Sequence, residues 1–214
     1  LDVHPRAWVF GLFGKAEALR TDMARAGLTL ERTWTPSDAI TIDRYATGAT
    51  MTTIYSFRDR LRDARVHHEK EGQAVPCDEW IETNGQGGRT GRWSCKQDRE
   101  WFYVAPEWHR MGDHLRACLW AHPPSEGRLV LRYPGVPMTG HFFGRGGHTL
   151  NASRRAHAPI ELELQIGELP PQRFGFELSD TFRTFRATTP TVGTATVSIA
   201  VSTSNSGANH FCFD

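Results

Sequence analysis

The sequence has almost no net charge and no long apolar run. Its 25 Lys and Arg residues nearly balance its 24 Asp and Glu residues, which leaves a formal net charge of +1. A dedicated nucleic-acid binder usually carries a clear basic excess, so we expect no nucleic-acid partner.

The longest early apolar stretch, residues 7–13, is far shorter than the roughly 18 residues that span a bilayer. The sequence begins with Leu1 and shows no signal-peptide pattern, so we expect a processed product or a piece of a longer polypeptide whose membrane anchor could lie outside it.

The motifs that mark common active sites and metal sites are also absent. There is no C-x-x-C, H-E-x-x-H, G-x-S-x-G or S-x-x-K, so the sequence offers no readable active site. His67 and His68 are adjacent, and on a helix adjacent side chains point about 100° apart, which prevents joint chelation of one ion. We therefore expect no cofactor, apart from a structural calcium ion for which Asp180, Asp214 and Glu126 are weak candidates.

The four cysteines predict disulfides. They allow three pairings, and the sequence-local choice joins Cys77 to Cys95 and leaves Cys118 with Cys212. The first pair brackets a Gly-rich turn, residues 84–88, between two Trp-containing segments, as in a stapled hairpin. This interpretation requires an oxidising compartment such as the periplasm or cell surface. The alternative is four buried free thiols in a cytosolic protein.

The first third of the chain, residues 1–74, reads as a small α/β extension. Ala16, Leu19 and Met23 recur at helical spacing over residues 14–27, and a capping-box pattern at Ser56 predicts a second helix to about Glu71. Residues 28–34 and 40–45 are candidate strands.

From residue 75 to 214 the pattern changes to short strands separated by Gly and Pro. The residues Ile160–Ile166 alternate apolar and polar side chains at every step, the signature of a half-buried strand. About nine such segments, the last returning to pair near the middle, predict a mainly β jelly-roll β-sandwich. The predicted strands are 101–104, 115–121, 128–133, 138–143, 160–166, 173–178, 184–188, 195–201 and 210–213.

Two features are candidate ligand contacts. Trp93, Trp101 and Trp108 lie close to the first cysteine pair, and an exposed Trp ring matches the apolar C–H face of a pyranose; the alternative is that these rings pack a hairpin against the sandwich. The segment Gly144–His148 is the most distinctive predicted loop, with Arg145 and His148 as hydrogen-bond donors to a ligand. A tight loop at the rim of the sandwich is the plainer interpretation.

One group of segments occurs in a recognisable order: Cys77 with Trp93–Cys95, then 101–104, 116–123, 133–137, 144–148, 158–162 and 210–213. Together these segments resemble soluble periplasmic jelly-roll domains of bacterial membrane proteins, including mannosyltransferase-type (GT-C) glycosyltransferases. The resemblance covers residues 75–214 and implies a carbohydrate-binding-module-like sandwich facing the periplasm. It implies no catalytic residue here, because the transferase chemistry would lie in the membrane part. The pairing of Cys118 with Cys212 fits it.

The leading hypothesis is a non-catalytic periplasmic or cell-surface accessory domain that recognises a glycan or glycolipid. Its expected ligand contacts are Trp93, Trp101, Trp108, Arg145 and His148. The first alternative is a structural or assembly subunit that docks on a bacterial membrane protein complex. The second is a hydrolase, which a cleft lined by two carboxylates or a His-bearing triad would favour.

Overall fold

The computed structural model describes the chain in nine stretches and divides it into two compact units, Leu1–Thr53 and Ile54–Asp214. The described residues are 6–12, 16–25, 28–37, 39–47, 53–85, 88–95, 102–112, 114–179 and 181–214.

The smaller unit is a three-stranded antiparallel sheet with one helix. Its elements are β1 (Arg6–Leu12), α1 (Ala16–Arg25), β2 (Leu28–Ser37) and β3 (Ile40–Thr47), and the strand order is β1-β3-β2. The predicted helix and both predicted strands are confirmed. Strand β1 is not among the predicted strands, because the apolar run at residues 7–13 served only to exclude a membrane span.

An ion pair holds α1 against one face of this sheet. Asp43 of β3 is 1% exposed, and it accepts hydrogen bonds from Arg20 Nε of α1 at 2.7 Å and from Thr33 Oγ1 of β2 at 2.6 Å. The hydrogen bond from Arg20 is the main cause that lowers the pKa of Asp43, against a smaller opposing effect of burial. The charged form is therefore stabilised, and the helix covers the face that carries Asp43 and the buried ring of Tyr45.

The larger unit is a sandwich of two antiparallel sheets, which confirms the predicted mainly β jelly-roll β-sandwich. One sheet has the order β13-β12-β15-β10-β4-β5 and the other β14-β11-β16-β9-β8-β7-β6. The strands are β4 (Arg65–Lys70), β5 (Gln73–Pro76), β6 (Glu79–Gly85), β7 (Gly88–Ser94), β8 (Tyr103–Met111), β9 (His114–Ala121), β10 (Arg128–Pro137), β11 (His141–His148), β12 (Ile160–Ile166), β13 (Gln172–Phe176), β14 (Arg183–Thr188), β15 (Thr194–Thr203) and β16 (Phe211–Phe213). A 3-10 turn (Leu61–Asp63) and the short helix α2 (Leu150–Ser153) complete it.

Alternation along the strands builds the core between the sheets. In β12 the four apolar side chains are buried while Glu161 points outward, and Leu162 lies opposite Val201 of β15. Phe211 and Phe213 fill the core from the facing sheet. Burying each such side chain contributes roughly 1.5–3 kcal/mol, so the pattern read from the sequence accounts for the main stabilising layer.

The predicted second helix is wrong. Ser56 does accept a hydrogen bond from the Asp59 amide at 3.2 Å, but only a turn and the 3-10 turn Leu61–Asp63 follow, and Arg65–Lys70 forms strand β4. Val66 is buried and lies opposite Leu131 of β10. Pairing with that strand outweighs a local helical pattern, as tertiary context commonly does. Residues 54–74 thus lie in the larger unit, whereas the sequence pattern had grouped them with the N-terminal extension.

The predicted loop Gly144–His148 is a strand, and its glycines make room for aromatic rings. A Cβ on Gly144 would lie 2.4 Å from Cζ of Phe185, and one on Gly146 would lie 2.9 Å from Cζ of Phe176. Glycine inside a strand often marks such a close approach. The glycines therefore serve packing within β11, and β11 begins at His141 rather than at residue 138.

Both predicted disulfides are confirmed. Cys77–Cys95 closes the hairpin β6–β7, and Cys118–Cys212 ties β9 to the neighbouring strand β16. The sequence separations are 18 and 94 residues. In the chain-entropy model these closures stabilise the fold by about 3 and about 5 kcal/mol.

Candidate functional site

The register of β8 and β9 gathers polar and aromatic side chains on the face of the seven-stranded sheet that points away from the core. Val104 and Leu119 are completely buried in the core. Because side chains alternate along a strand, Tyr103, Glu107 and His109 of β8 lie on the opposite face, as does Trp120 of β9. Trp120 pairs with the small residue Ala105, which leaves space for its indole ring.

Trp120 is the centre of an aromatic cluster. Its ring is stacked with His109 at 4.8 Å and with Tyr103 at 6.0 Å, and it contacts His210 at 4.9 Å. Trp120 itself is 5% exposed, whereas the three surrounding rings are half-buried. We call Tyr103, Glu107, His109, Trp120, His122 and His210 the outer-face cluster.

Glu107 is held at both carboxylate oxygens. Tyr103 donates its hydroxyl to Oε1 at 2.8 Å, and His109 Nε2 lies 2.7 Å from Oε2. Burial acts to raise the pKa of Glu107, but the hydrogen bonds with His109 and Tyr103 outweigh it and lower that pKa. Burial and the charge of Glu107 raise the pKa of Tyr103. At neutral pH the site therefore presents an oriented carboxylate beside a neutral phenol, with the Arg92 guanidinium 4.7 Å from the centroid of the Tyr103 ring.

Two further histidines near Trp120, His122 and His210, are buried or half-buried. Burial, together with the neighbouring His122, His109 and Arg155, lowers the pKa of His210 to about 4. His122 Nδ1 donates to the carbonyl of Pro123 at 3.0 Å. A neutral His210 ring has one donor and one acceptor nitrogen, which suits hydrogen bonding to hydroxyl groups.

Arginine–aromatic pairs continue along the same face. The guanidinium groups of Arg145 and Arg116 lie 5.4 and 5.8 Å from the Phe182 centroid, and Arg186 lies 5.5 Å from that of Phe143. Such contacts orient cations at a surface.

The structure places the predicted ligand contacts in different environments. Trp93 faces the core, where its Nε1 donates to the Leu61 carbonyl at 3.0 Å and its ring contacts Trp80 at 5.1 Å. His148 is completely buried at the end of β11, and burial lowers its pKa. These two side chains occupy structural positions in the described fold.

Arg145 and Trp108 lie on opposite faces of the sheet. Arg145 lies on the face of the outer-face cluster, and its Nε donates to Asp214 at 3.0 Å. Trp108 is 59% exposed, but alternation along β8 puts it on the face opposite to that of Glu107. Trp101 lies outside the described residues.

Two of the three calcium candidates form ion pairs with basic side chains. Asp214 pairs with Arg145, and Glu126 pairs with Lys70. Asp180 lies outside the described residues. Within the described part of the chain, no group of three or more His, Cys, Asp or Glu side chains could hold a metal ion.

The sequence interpretation missed the outer-face cluster. Trp120 lies two residues after Cys118 and so shares its face, but nothing local shows that β8 would bring Tyr103 and Glu107 beside it. His210 reaches the cluster from just before β16, about 90 residues away in the chain. Such convergence follows from strand order and register.

Comparisons with known proteins give no family. No family model matches the chain, and no curated protein does. Among solved structures, it is similar to the tandem CBM51 modules of a family 98 glycoside hydrolase from Streptococcus pneumoniae, at 10% identity and a TM-score of 0.41 over 82% of this chain. The match spans 53% of that chain, so this chain covers about half its length.

Two further structures are similar at a lower score. The C-terminal CBM6 of a marine laminarinase from Zobellia galactanivorans matches at 9% identity and a TM-score of 0.27, over 70% of this chain and 98% of that one. The enzymatically active domain of tailspike protein 4 of bacteriophage CBA120 matches at 9% identity and a TM-score of 0.32, over 76% and 20% respectively.

Proposed function

We propose that this chain is a non-catalytic module that binds a glycan, or the glycan part of a glycolipid, at the outer-face cluster. One observation carries the proposal: on a half-buried sheet face, Glu107 is held between Tyr103 and His109 beside the Trp120 ring. Sugar hydroxyls donate strongly to an ionised carboxylate. The half-buried rings of Tyr103 and His109 offer apolar surface to sugar C–H groups.

The electrostatics of the cluster favour binding over hydrolysis. The pKa of Glu107 is lowered, so at neutral pH it accepts hydrogen bonds and is a poor general acid. Glycoside hydrolysis commonly uses two carboxyl groups at a defined separation. The outer-face cluster as described contains one.

Two disulfides support a location in an oxidising compartment, the periplasm or the cell surface. No helix among the described residues has the length and apolar character to cross a bilayer. An accessory role, anchoring through a segment outside this chain, and the link to GT-C glycosyltransferases stay predictions.

An assembly subunit is the second candidate function, and exposed apolar side chains of the hairpin β8–β9 favour it. Trp108 is 59% exposed and Leu115 is 67% exposed, and their register places them diagonally on one face. An exposed apolar patch of this kind can mark a protein contact. This face is opposite to the outer-face cluster, so variants can separate the two functions.

Glu107→Gln tests the proposal. Glycan-array screening identifies a binding sugar, and calorimetric titration measures its Kd with the purified chain. Loss of a hydrogen bond to a charged group costs about 1.5–3 kcal/mol, so we expect Glu107→Gln to weaken binding roughly 10- to 150-fold. Tyr103→Phe removes one donor to Glu107 and should weaken binding about 2- to 10-fold.

Trp108→Ala is the matched control, because it changes the other face of the same hairpin. Its glycan affinity should equal that of the unmodified chain, and circular dichroism should show the same fold for all three variants. Binding that survives Glu107→Gln but is lost in Trp108→Ala moves the site to the opposite face. Failure to bind any glycan, with a large partner retained through Trp108, establishes the assembly role instead.

A further inference from the structure

The three-stranded sheet of the smaller unit has one covered face and one face rich in aromatic rings. Helix α1 covers the face of Asp43 and Tyr45, which are 1% and 2% exposed. The opposite face carries two cross-strand rows: Trp8, Arg44 and Arg32 form one, and Phe10, Ile42 and Trp34 form the other. We call these six residues the aromatic–arginine face.

Large rings on this face are open to solvent. Trp8 is 52% exposed and Phe10 is 64% exposed. The indole rings of Trp8 and Trp34 are stacked, with centroids 5.2 Å apart and planes at 24°. Contiguous exposed aromatic surface on a soluble unit marks an interaction site.

Two guanidinium groups lie over these stacked rings, Arg32 over Trp34 and Arg44 over both Trp34 and Trp8. Arg32 lies 4.8 Å from the Trp34 centroid, and Arg44 lies 5.7 Å from Trp34 and 5.8 Å from Trp8. Arg44 also pairs with Glu31 at 2.8 Å. Arginine stacked on an aromatic ring keeps its planar fork available for a carboxylate or a phosphate.

The register of the two arginines points to an anionic ligand. Arg32 and Arg44 are direct cross-strand partners. The Glu31 carboxylate paired with Arg44 offsets one of these two positive charges, and like charges directly opposite each other destabilise a strand pair. An anion bound between the two guanidinium groups offsets the second positive charge and is held by charge-assisted hydrogen bonds.

We infer that the aromatic–arginine face binds an acidic carbohydrate, a sugar ring bearing a carboxylate, sulfate or phosphate group. The exposed indole of Trp8 accepts the C–H face of the ring, and Arg32 and Arg44 bind the acidic group. Residues 1–53 contain six Lys and Arg and six Asp and Glu residues, so this unit lacks the basic excess typical of a nucleic-acid binder. The inference does not rest on the proposed function, because the outer-face cluster lies in the other unit.

The test uses the full chain on a panel of uronate-, sulfate- and phosphate-bearing oligosaccharides, each beside its neutral counterpart; oligogalacturonate and its methyl ester are one such pair. Binding is measured by calorimetry. We expect at least tenfold tighter binding of the acidic member, with affinity falling as salt rises. Trp8→Ala should weaken this binding at least tenfold, whereas Leu19→Ala, on the exposed side of α1, should leave it unchanged.

Arg32→Glu separates ligand binding from structural support. It places opposite charges across β2 and β3, so the unit should keep or raise its thermal stability while acidic-sugar binding falls at least tenfold. Equal binding of acidic and neutral sugars, or unchanged binding by Arg32→Glu, overturns the inference.

Further outcomes distinguish other ligands and the other site. Tighter binding of a single-stranded oligonucleotide than of any acidic sugar assigns the face to nucleic acid. A concentration-dependent dimer that Trp8→Ala abolishes assigns it to a second copy of the chain. Either result overturns the inference. Glu107→Gln should leave acidic-sugar binding at this face intact, so failure here and failure at the outer-face cluster give different results.

Discussion

The lowered pKa of His210 in the folded chain predicts how the stability of the protein depends on pH. Its pKa is about 4 in the folded chain, against an ordinary value of 6.5, and the largest cause is burial beside Trp120. Between pH 7 and pH 5 the unfolded chain therefore gains a proton at this position while the folded chain does not. The linkage relation gives a loss of about 2 kcal/mol from the free energy of unfolding over this interval.

The sign follows from the direction of the shift. A histidine whose pKa is depressed by folding contributes stability that is fully present above 6.5 and is lost as the pH falls toward about 4. His210→Phe keeps a ring against Trp120 but cannot titrate. Between pH 7 and pH 5 the unmodified chain should lose free energy of unfolding through His210, whereas the variant should not. The loss measured for the variant should therefore be smaller by about 2 kcal/mol.

Urea denaturation followed by Trp fluorescence, at both pH values and in both proteins, measures this difference directly. The comparison cancels the titration of groups common to both chains, including the buried His148 and Glu107. If both proteins lose the same free energy of unfolding between pH 7 and pH 5, the reasoning is refuted, because His210 would then titrate alike in the folded and unfolded states.

Two further predictions concern the sandwich itself. Replacing Cys118 and Cys212 together by Ala should lower the free energy of unfolding by about 5 kcal/mol, whereas replacing Cys77 and Cys95 should lower it by about 3 kcal/mol. Urea titration of both double variants measures these losses, and equal losses contradict the prediction. Gly144→Ala would bring a Cβ to 2.4 Å from Phe185 and should cost about 1–3 kcal/mol. Gly175→Ala, whose Cβ would meet nothing within 4 Å, is the matched control, and a similar thermal shift in both variants counts against ring packing as the cause.

Local patterns were sufficient where a strand has one buried face. Ile160–Ile166 alternates at every step and forms strand β12 over the same residues. Alternation encodes burial directly, since successive side chains point to opposite faces. The two disulfides were also predictable, because few pairings of four cysteines exist and one of them brackets a hairpin.

Local sequence patterns predicted the wrong secondary structure where pairing or packing with a distant segment determines the conformation. The segment after Ser56 carries helical spacing, but Val66 and the rest of β4 pair with β10. The glycines of β11 look like a loop until the rings of Phe185 and Phe176 are seen to occupy the space above them. In both cases the deciding contact comes from residues far along the chain.

The order of the residues by itself determined that this protein is mainly β, punctuated by Gly and Pro and closed by two sulfur–sulfur links. Only the tertiary structure decided which side chains meet. Pairing of β8 with β9 sets Glu107 and His109 beside Trp120, and pairing of β2 with β3 sets Arg32 opposite Arg44. The physical reason is that alternation assigns a residue to one of two faces, while its neighbours on that face depend on strand order and register, which distant segments specify.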